Sequence, residues 1–560
     1  MSVVYAASQQ ALSFSACAAS NIVLPNISGL EFNPIQANVV HGASESLIQA
    51  FYIGHGATEI KDASYCNVSL SYSHTGHSDT VNVQVWLPSS DDWNGRLMAV
   101  GGGGFAAGLF SLSFSNMLAA VDNGYAAVST DAGHDGENHD PEYWALKEPG
   151  EVDMVLLENF AYRAYGEQAK IGKAVSESFY GSPPKRSYWS GCSTGGRQGL
   201  VVAQRFPDAF DGILATAPAI NWAHLLPSLY WPQQIMNELR SYPRDCELAA
   251  ITAAAIAECD LHDGVKDGII AAPEVCKFNP HALVGKEIDC GGTTVKISIA
   301  AAAVAEAAWS GPQTQDNSSL WHGFSADIAL TGAFNPANTL CPAAEGPCTA
   351  ATGFPPSNHW MKWFVAKDPG LDLAKLSRAD YVKMFHQSIQ EYQGIMSTDN
   401  PDLSGFKKAG GKMITIHGTA DQLIPVRGSQ EYYNRVLAVD PKAREYYKYF
   451  EAPGHAHCFG GPGAYPEHVF EDLVAWVEEG LAPETLLART NPNLQGRLSE
   501  RPLCQYPLVA RYDGTGDIDA AANYHCAEEH LGTTPISTVI HRTKQILEEA
   551  VRTGTIHAEL

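Results

Sequence analysis

A serine between glycines is the first residue in this sequence that could do covalent chemistry. Residues 191–195 read Gly-Cys-Ser-Thr-Gly, a G-x-S-x-G pattern that follows the strand-like run 188–190 and precedes a helical segment. In such a turn the glycines relieve crowding around the serine, and the helix N-terminus faces the position where an oxyanion forms. We predict that Ser193 is a nucleophile; the alternative is a glycine-rich turn with an incidental serine.

A serine nucleophile needs a histidine base and a carboxylate that orients it. When the serine stands at such a turn, the acid and then the histidine follow it along the chain. Asp421 comes soon after the apolar run 413–416 and takes the place of the acid. A later run, 446–450, leads to His455 and His457, and either could be the base.

Two cysteines stand directly beside these candidates, because Cys192 precedes Ser193 and Cys458 follows His457. If the two cysteines form a disulfide, their Cα atoms lie about 5.5–6 Å apart, and the adjoining serine and histidine are brought together. This hypothesis favours His457 over His455 as the base. The less favoured alternative is that Cys192 is itself a thiolate nucleophile.

Four consecutive glycines, Gly101–Gly104, follow another apolar run. They fit the place of the loop that completes the oxyanion hole in esterases with HGGG-type motifs. We expect the N–H groups of Thr194 and Gly103 to face the oxyanion, although the choice of glycine is open. A dinucleotide-binding phosphate loop is the alternative, but its spacing, following helix and ribose-binding acid are not convincing here.

Short apolar runs that alternate with helical segments must position these residues. The alternation predicts an α/β fold with a parallel sheet, whose active groups lie beyond the carboxyl ends of the strands. Residues 222–405 break the alternation and contain six tryptophans and six cysteines. Because so long a segment needs a core of its own, we predict an inserted lid domain there. Residues 1–221 and 406–560 then form the catalytic domain.

The overall composition excludes several classes of protein. Of the 560 residues, 45% are hydrophobic and 17% are charged, which is enough for a large core and unlike a disordered chain. The formal net charge of −25 disfavours nucleic acids and anionic membrane surfaces as partners. No apolar stretch in the sequence is long enough to span a bilayer.

Twelve cysteines without a C-x-x-C pair indicate disulfides in an oxidising compartment rather than structural zinc. Three glycosylation sequons, at Asn26, Asn67 and Asn317, agree with secretion. Residues 1–20 contain no Lys or Arg and are unlike a signal peptide. We expect either that the signal has been removed from this stretch or that a starting Met has been added to a mature chain.

An acidic loop in the predicted lid could hold a metal ion. Asp260, Asp263 and Asp267 stand beside glycines that permit tight turns, and the carbonyls of Val265 and Ile269 could fill the gaps between the carboxylates. Hard oxygen donors without His or Cys suit Ca²⁺, although the spacing is not that of an EF-hand. The alternative is an acidic surface turn; if a metal binds, we expect a structural role away from the proposed triad.

Taken together, these motifs resemble the tannase/feruloyl esterase family of fungi and bacteria. The resemblance includes the sequences at 191–199, 101–104, 259–270, 417–421 and 454–458 and extends to Arg501-Pro502-Leu503-Cys504. It implies an α/β-hydrolase core with a lid and a Ser193–Asp421–His457 triad beside a Cys192–Cys458 bridge. It also implies structural calcium held by Asp260, Asp263, Asp267 and the carbonyls of Val265 and Ile269.

The family resemblance implies three further disulfides, Cys17–Cys66, Cys259–Cys276 and Cys504–Cys526. We infer Cys341–Cys348 from its short separation, which leaves Cys246–Cys290.

The implied reaction is hydrolysis of an aromatic carboxylic ester through an acyl-enzyme, with feruloyl or other hydroxycinnamoyl esters of plant cell walls as substrates. Tannase activity on galloyl esters is a close alternative, and the family also contains a terephthalate mono-ester hydrolase. Two alternatives belong to other classes: a catalytically inactive protein that binds phenols or carbohydrates, and a peptidase on the same fold.

Overall fold

The computed structural model describes residues 14–47, 53–134, 140–332, 334–342, 346–350, 353–491 and 496–528. The two predicted segments of the catalytic domain, 1–221 and 406–560, therefore include terminal stretches that lie outside the described residues. Nothing in the structure tests the proposed division into two domains, which stays a prediction.

A ten-stranded sheet forms the centre of the described part of the chain. Its strands are β1 Leu30–Phe32, β2 Gln36–Leu47, β3 Thr58–His74, β4 Val81–Leu87, β5 Arg96–Val100, β6 Ala126–Thr130, β7 Arg186–Cys192, β8 Gly212–Thr216, β9 Lys412–Gly418 and β10 Tyr447–Ala452. Along the sheet the order is β1-β3-β4-β6-β5-β7-β8-β9-β10, and β2 also pairs with β3.

The six strands from β6 to β10 along the sheet are parallel, as the sequence predicts. The first four strands are antiparallel, in contrast to the purely parallel sheet that the sequence predicts. The burial pattern of β3 explains why these strands are antiparallel, because its second half alternates buried and half-buried residues. A sheet with one face covered produces this alternation, whereas the parallel strands are buried on both faces.

Helices lie on both faces of the sheet and in the chain between β8 and β9. They are α1 Ser111–Asp122, α2 Met154–Glu158, α3 Ala164–Tyr180, α4 Thr194–Arg205, α5 Trp222–Ser228, α6 Trp231–Leu239, α7 Asp245–Cys259, α8 Ile299–Ser310, α9 Pro355–His359, α10 Arg378–Met396, α11 Ser404–Ala409, α12 Val426–Val439 and α13 Val469–Glu479. Successive residues of β5 pack on opposite faces of the sheet. Leu97 and Ala99 pack with α3 and α4, while Met98 and Val100 pack with α1 and α13. The α/β fold class is therefore confirmed.

Small sheets lie outside the central one. Their strands are Leu146–Glu148 with Glu151–Val152, Glu287–Asp289 with Thr294–Lys296, Thr339–Leu340 with Thr349–Ala350, Leu508–Tyr512 with Tyr524–Glu528, and the three-stranded group Tyr465–Pro466, Thr485–Arg489 and Glu500–Cys504. No helix within the described ranges is long and apolar enough to cross a bilayer.

The chain between β8 and β9 holds helices α5 to α11, and its described residues add no strand to the central sheet. This insertion packs on the core through aromatic rings. The ring of Trp222 lies 5.5 Å from that of Phe105 and 5.7 Å from that of Phe160, and the ring of Phe364 lies 5.8 Å from Phe105. The insertion is thus joined to the main hydrophobic core rather than attached through its ends alone.

Six disulfides link the chain, and all of them join the pairs expected above. They are Cys17–Cys66, Cys192–Cys458, Cys246–Cys290, Cys259–Cys276, Cys341–Cys348 and Cys504–Cys526. Three of them lie within the insertion and restrain its irregular stretches, which is the role that the clustering of cysteines there predicts.

Candidate active site

Ser193 occupies a strained turn between β7 and α4. Its φ of 62° and ψ of −121° are uncommon for a residue with a side chain. A Cβ on Gly191 would lie 2.6 Å from the backbone of Gly195, and a Cβ on Gly196 would lie 2.4 Å from the carbonyl oxygen of Thr216. Glycine is therefore required on both sides of the turn, which presents Ser193 at the N-terminus of α4.

His457 and Asp421 form a hydrogen-bonded pair. The Nδ1 atom of His457 lies 2.7 Å from Oδ2 of Asp421, and the side chains are 10% and 0% exposed. The other oxygen, Oδ1, accepts the backbone N–H groups of Leu423 and Ile424 at 2.8 Å. Because both oxygens of Asp421 accept hydrogen bonds, the carboxylate is held in one orientation. Since His457 contacts it through Nδ1, the other ring nitrogen, Nε2, is available for proton transfer.

The electrostatic environment keeps Asp421 ionised. Burial alone would raise the pKa of this carboxyl, but the positive potential of His457 and hydrogen bonds from His417 and His457 hold its pKa well below the usual range. An ionised carboxylate stabilises the imidazolium that forms when His457 takes a proton.

Of the two candidate bases, His455 lies in the core. It is 3% exposed, its ring packs 4.8 Å from that of Tyr465, and burial lowers its pKa to about 4. His457, in contrast, lines the same cavity as Ser193. The geometry therefore favours His457.

The disulfide between Cys192 and Cys458 holds the serine turn against the histidine loop. Its Cα atoms are 5.9 Å apart and its cysteines are separated by 266 positions in sequence. Closing a loop of this length contributes about 5 kcal/mol in the chain-entropy model. Since Cys192 is bonded in this way, it is not the free thiolate of the alternative mechanism.

A cavity of about 560 Å³ opens beside Ser193 and His457, a volume typical of small-molecule sites. Its wall is largely apolar and includes five phenylalanines, Phe105, Phe110, Phe334, Phe354 and Phe459. No Lys or Arg is among the described residues that line it. The cavity can thus hold an uncharged aromatic group next to Ser193.

The expected role of Gly103 in the oxyanion hole is wrong. Its N–H donates to the carbonyl of Ala106 at 3.0 Å within a tight turn, so that it is not available to an oxyanion. The next residue, Gly104, has a φ of 56°, and its N–H has no acceptor in the described chain. The carbonyl of Gly104 accepts the hydroxyl of Thr194 at 2.7 Å, which joins this loop to the start of α4.

The glycine loop packs directly on the serine turn. Gly195 donates its N–H to the carbonyl of Gly102 at 2.9 Å, and Gly102 donates to the side chain of Gln198 at 2.9 Å. Thr194 begins α4, so its N–H has no intrahelical acceptor. This arrangement places the loop beside Ser193 and argues against the dinucleotide-binding alternative.

Sequence reasoning missed His417 as part of the site. This fully buried side chain places Nε2 3.2 Å from Oδ2 of Asp421 and 3.1 Å from the carbonyl of Ile424, while Nδ1 lies 2.8 Å from the hydroxyl of Ser429. Two acceptors at Nε2 indicate that this nitrogen carries the proton. The sequence signal that could have identified His417 is its position four residues before Asp421, at the end of a buried strand.

The acidic loop folds around its own carboxylates. Oδ1 of Asp260 accepts the N–H groups of Asp267 and Gly268, and Oδ1 of Asp263 accepts that of Val265. Burial, with a smaller effect of the neighbouring Asp267 and Asp260, raises the pKa of Asp263 to about 6.

Hard oxygen donors of this kind fit Ca²⁺, and Oδ2 of both Asp260 and Asp263 accepts no hydrogen bond from the described chain. The carboxylates do not form a complete cage, because no three side chains of His, Cys, Asp or Glu converge as a metal site within those residues. A calcium ion would also need the carbonyls of Val265 and Ile269, and the assignment stays a prediction.

The three sequons differ in accessibility. Asn26 and Asn317 are exposed, whereas Asn67 is half-buried in β3 and donates Nδ2 to Gln84 at 3.4 Å. Glycosylation at these positions stays a prediction.

The chain is similar to known esterases over most of its length. The family model for "Tannase and feruloyl esterase" matches residues 66–527. A probable feruloyl esterase of Arthroderma benhamiae is 43% identical over 83% of this chain and 86% of that protein. A mono(2-hydroxyethyl) terephthalate hydrolase of Piscinibacter sakaiensis is 29% identical over 81% and 82%. The structure of a tannin acyl hydrolase from Aspergillus niger superposes with a TM-score of 0.81 at 28% identity, covering 92% of this chain and 95% of that one.

We expect replacement of Cys192 and Cys458 by alanine to lower ester turnover at least tenfold at a temperature where the protein stays folded. The serine turn and the histidine loop lose the covalent bond that aligns them, and misplacement by about 1 Å can cost about 100-fold. The matched control replaces Cys504 and Cys526, which link strands away from the cavity. If circular dichroism shows both double variants folded and their activities are equal, the proposed role of the Cys192–Cys458 disulfide in aligning the site is contradicted.

We expect ester turnover to decrease in the order wild type, His417→Gln, His417→Ala. Glutamine can place a donor near the position of Nε2 and keep part of the hydrogen bonding to Asp421. Alanine removes this hydrogen bond, and we expect it to lower turnover about tenfold. The pH profile of kcat/KM should change more in His417→Ala than in His417→Gln, because alanine removes a hydrogen bond that helps to hold the pKa of Asp421 low. Wild-type rates and pH profiles in both variants would show that His417 has no positioning role.

Proposed function

The chain belongs to the tannase and feruloyl esterase family and is a carboxylic ester hydrolase that acts on aromatic esters, and we propose that its substrates are feruloyl and related hydroxycinnamoyl esters of plant cell-wall material. The single observation that carries this proposal is the phenylalanine-lined cavity beside Ser193 and His457, which contains no cationic side chain among its described lining residues.

In the proposed mechanism, Oγ of Ser193 attacks the ester carbonyl while Nε2 of His457 takes the hydroxyl proton. His457 then protonates the leaving alcohol, and an acyl-enzyme remains on Ser193. A water molecule, deprotonated by His457, attacks the acyl-enzyme and releases the acid. Asp421 supports both steps because it holds Nδ1 of His457 at 2.7 Å and stabilises the imidazolium.

We assign the oxyanion hole to the backbone N–H groups of Thr194 and Gly104. The positive end of α4 and the two N–H groups supply fixed dipoles where negative charge develops on the carbonyl oxygen. This proposal replaces Gly103 by its neighbour, whose N–H is not used by the turn.

The cavity wall discriminates between the three substrate classes. A terephthalate mono-ester carries a carboxylate, which needs a cationic partner when it is buried, and the described lining provides none. A galloyl ring carries three hydroxyl groups, and an apolar wall would leave most of them without partners. A hydroxycinnamoyl group has fewer polar atoms and a longer apolar body, and it suits this wall best.

We also propose that the protein is secreted, that its substrates are attached to plant polysaccharide, and that the acidic loop binds structural calcium. Six disulfides are typical of an oxidising compartment. Support for calcium comes from the three carboxylates of one loop, because Oδ2 of both Asp260 and Asp263 accepts no hydrogen bond from the described chain.

The proposed function predicts a clear order of substrates. For the wild type we expect kcat/KM on methyl ferulate to exceed that on methyl gallate and on monomethyl terephthalate at least tenfold, measured by release of the acid. Ser193→Ala should lose about 10⁴-fold or more in kcat, because the nucleophile is removed and only the oxyanion hole and binding remain.

The exposed Ser404→Ala is the matched control and should retain wild-type rates. Higher efficiency on methyl gallate would favour a tannase instead. Unchanged turnover in Ser193→Ala would refute the serine mechanism, and amide hydrolysis as fast as ester hydrolysis would favour a peptidase.

Calcium removal should destabilise the protein. With calcium at about 100 times its Kd, binding contributes about 3 kcal/mol to the free energy of unfolding. We expect elemental analysis to find bound calcium, and chelator to lower the melting temperature until calcium is restored.

Asp263→Asn should lose both the metal and the response to chelator. Asp289→Asn, on an exposed ribbon of the insertion, should keep both. Absence of metal together with an unchanged melting temperature in chelator would exclude this site.

A further inference from the structure

A buried glutamine of α4 holds the glycine loop at two points. Gln198 is 0% exposed and lies in the helix that begins directly after Ser193. Its Oε1 accepts the N–H of Gly102 at 2.9 Å, and its Nε2 donates to the carbonyl of Ala107 at 2.8 Å. These two backbone groups lie on either side of Gly104, whose N–H we assign to the oxyanion hole. One side chain therefore anchors both ends of the segment that carries this donor.

The partners of Gln198 fix the orientation of its amide. The N–H of Gly102 can only donate and the carbonyl of Ala107 can only accept, so the oxygen and the nitrogen of the amide cannot be exchanged. Nε2 also donates to the hydroxyl of Tyr165 at 2.7 Å, and this hydroxyl donates to the carbonyl of Phe160 at 2.6 Å. Both amide hydrogens thus have acceptors, which holds the side chain in one position.

The loop is packed tightly around this anchor. A Cβ on Gly101 would lie 2.7 Å from Oε1 of Gln198, and a Cβ on Gly102 would lie 2.1 Å from the carbonyl oxygen of Ala106. Between the two anchored ends, Gly103 and Ala106 exchange backbone hydrogen bonds at 3.0 and 2.9 Å. The turn is therefore a small rigid unit, and its position depends on where its ends are held.

The other contacts between α4 and this loop reach only part of it. The N–H of Gly195 donates to the carbonyl of Gly102, and the hydroxyl of Thr194 donates to the carbonyl of Gly104. Within the described residues, Gln198 alone among the side chains of α4 bonds to the backbone on both sides of the turn. It is thus the side chain best placed to set the angle of the loop relative to the helix.

We propose that Gln198 is a positioning residue of the oxyanion hole, which holds the N–H of Gly104 so that it faces the same oxygen as the N–H of Thr194. This inference rests on the proposed function and adds a residue to its machinery. Donors that are already oriented stabilise an oxyanion without reorganising during the reaction. Because Ser193 directly precedes α4 and Gln198 belongs to it, the nucleophile and the loop are aligned on the same helix.

Gln198→Met tests this role, because methionine has a similar volume and removes all three hydrogen bonds of the amide. We expect kcat on methyl ferulate to fall about 100-fold, as for a catalytic group misplaced by about 1 Å. KM should stay within about threefold, because the lost interaction acts in the transition state. The inhibition constant of an aryl trifluoromethyl ketone, whose tetrahedral adduct with Ser193 carries an oxyanion, should rise with the loss in kcat.

Gln198→Glu supplies a second readout and decides the question if the methionine variant does not fold. Burial raises the pKa of a carboxyl group. The neutral acid can accept from Gly102 and donate to Ala107, whereas the ionised form cannot donate. We therefore expect the ratio of kcat in this variant to kcat in the wild type to rise as the pH falls.

Gln168→Met is the matched control. Gln168 is a buried glutamine of α3, 1% exposed, and its amide donates to the carbonyl of Val128 in β6 at 3.0 Å. Provided that circular dichroism shows it folded, this variant should keep the wild-type kcat and inhibition constant.

Wild-type kcat in folded Gln198→Met, equal losses in Gln198→Met and Gln168→Met, or a ratio for Gln198→Glu that does not change with pH would overturn the inference and leave the proposed function standing. Inactivity of the wild type on aromatic esters would overturn the proposed function, and this inference with it.

Discussion

The disulfide between Cys192 and Cys458 is the constraint on which the site depends. β7, which ends in the serine turn, and β10, which precedes the histidine loop, are separated by β8 and β9 in the sheet. Three strand spacings amount to about 14 Å, so the histidine loop must cross back over the carboxyl edge to reach Ser193. The disulfide holds it there, and the cysteines lie 266 positions apart in sequence.

Asp421 completes this arrangement from the strand between them. It follows β9, next to β10 in the sheet, and is buried where the returning loop passes. One carboxylate oxygen contacts two imidazoles, of His457 and His417, and the other accepts two backbone N–H groups. The covalent link therefore sets the distance of the loop from Ser193, and the buried carboxylate sets the orientation of the imidazole.

The cavity draws its lining residues from two parts of the chain. The strand ends of the central sheet carry the predicted triad and the glycine loop, whereas the insertion supplies Phe334, Phe354, Pro355, Pro356 and His359 to the same cavity. The aromatic rings of the insertion pack on Phe105, which directly follows the glycine loop, so the insertion and the core form one continuous cavity wall. A wall built from two parts of the chain is consistent with a family whose members are named for different aromatic esters.

The parts that local sequence determines are those with local physical causes. The steric need for glycine at 191 and 196 identifies the serine turn, the buried runs identify the parallel strands, and cysteines adjacent to Ser193 and His457 predict which loops meet. Tertiary structure alone decided that Gly103 gives its N–H to Ala106, that His417 shares Asp421, and that Asp140 and His359 come within 3.7 Å of each other. The N–H of Gly103 depends on the hydrogen bonding of one turn. The other two features depend on contacts between segments that are distant in sequence, and no local sequence pattern predicts how such segments pack.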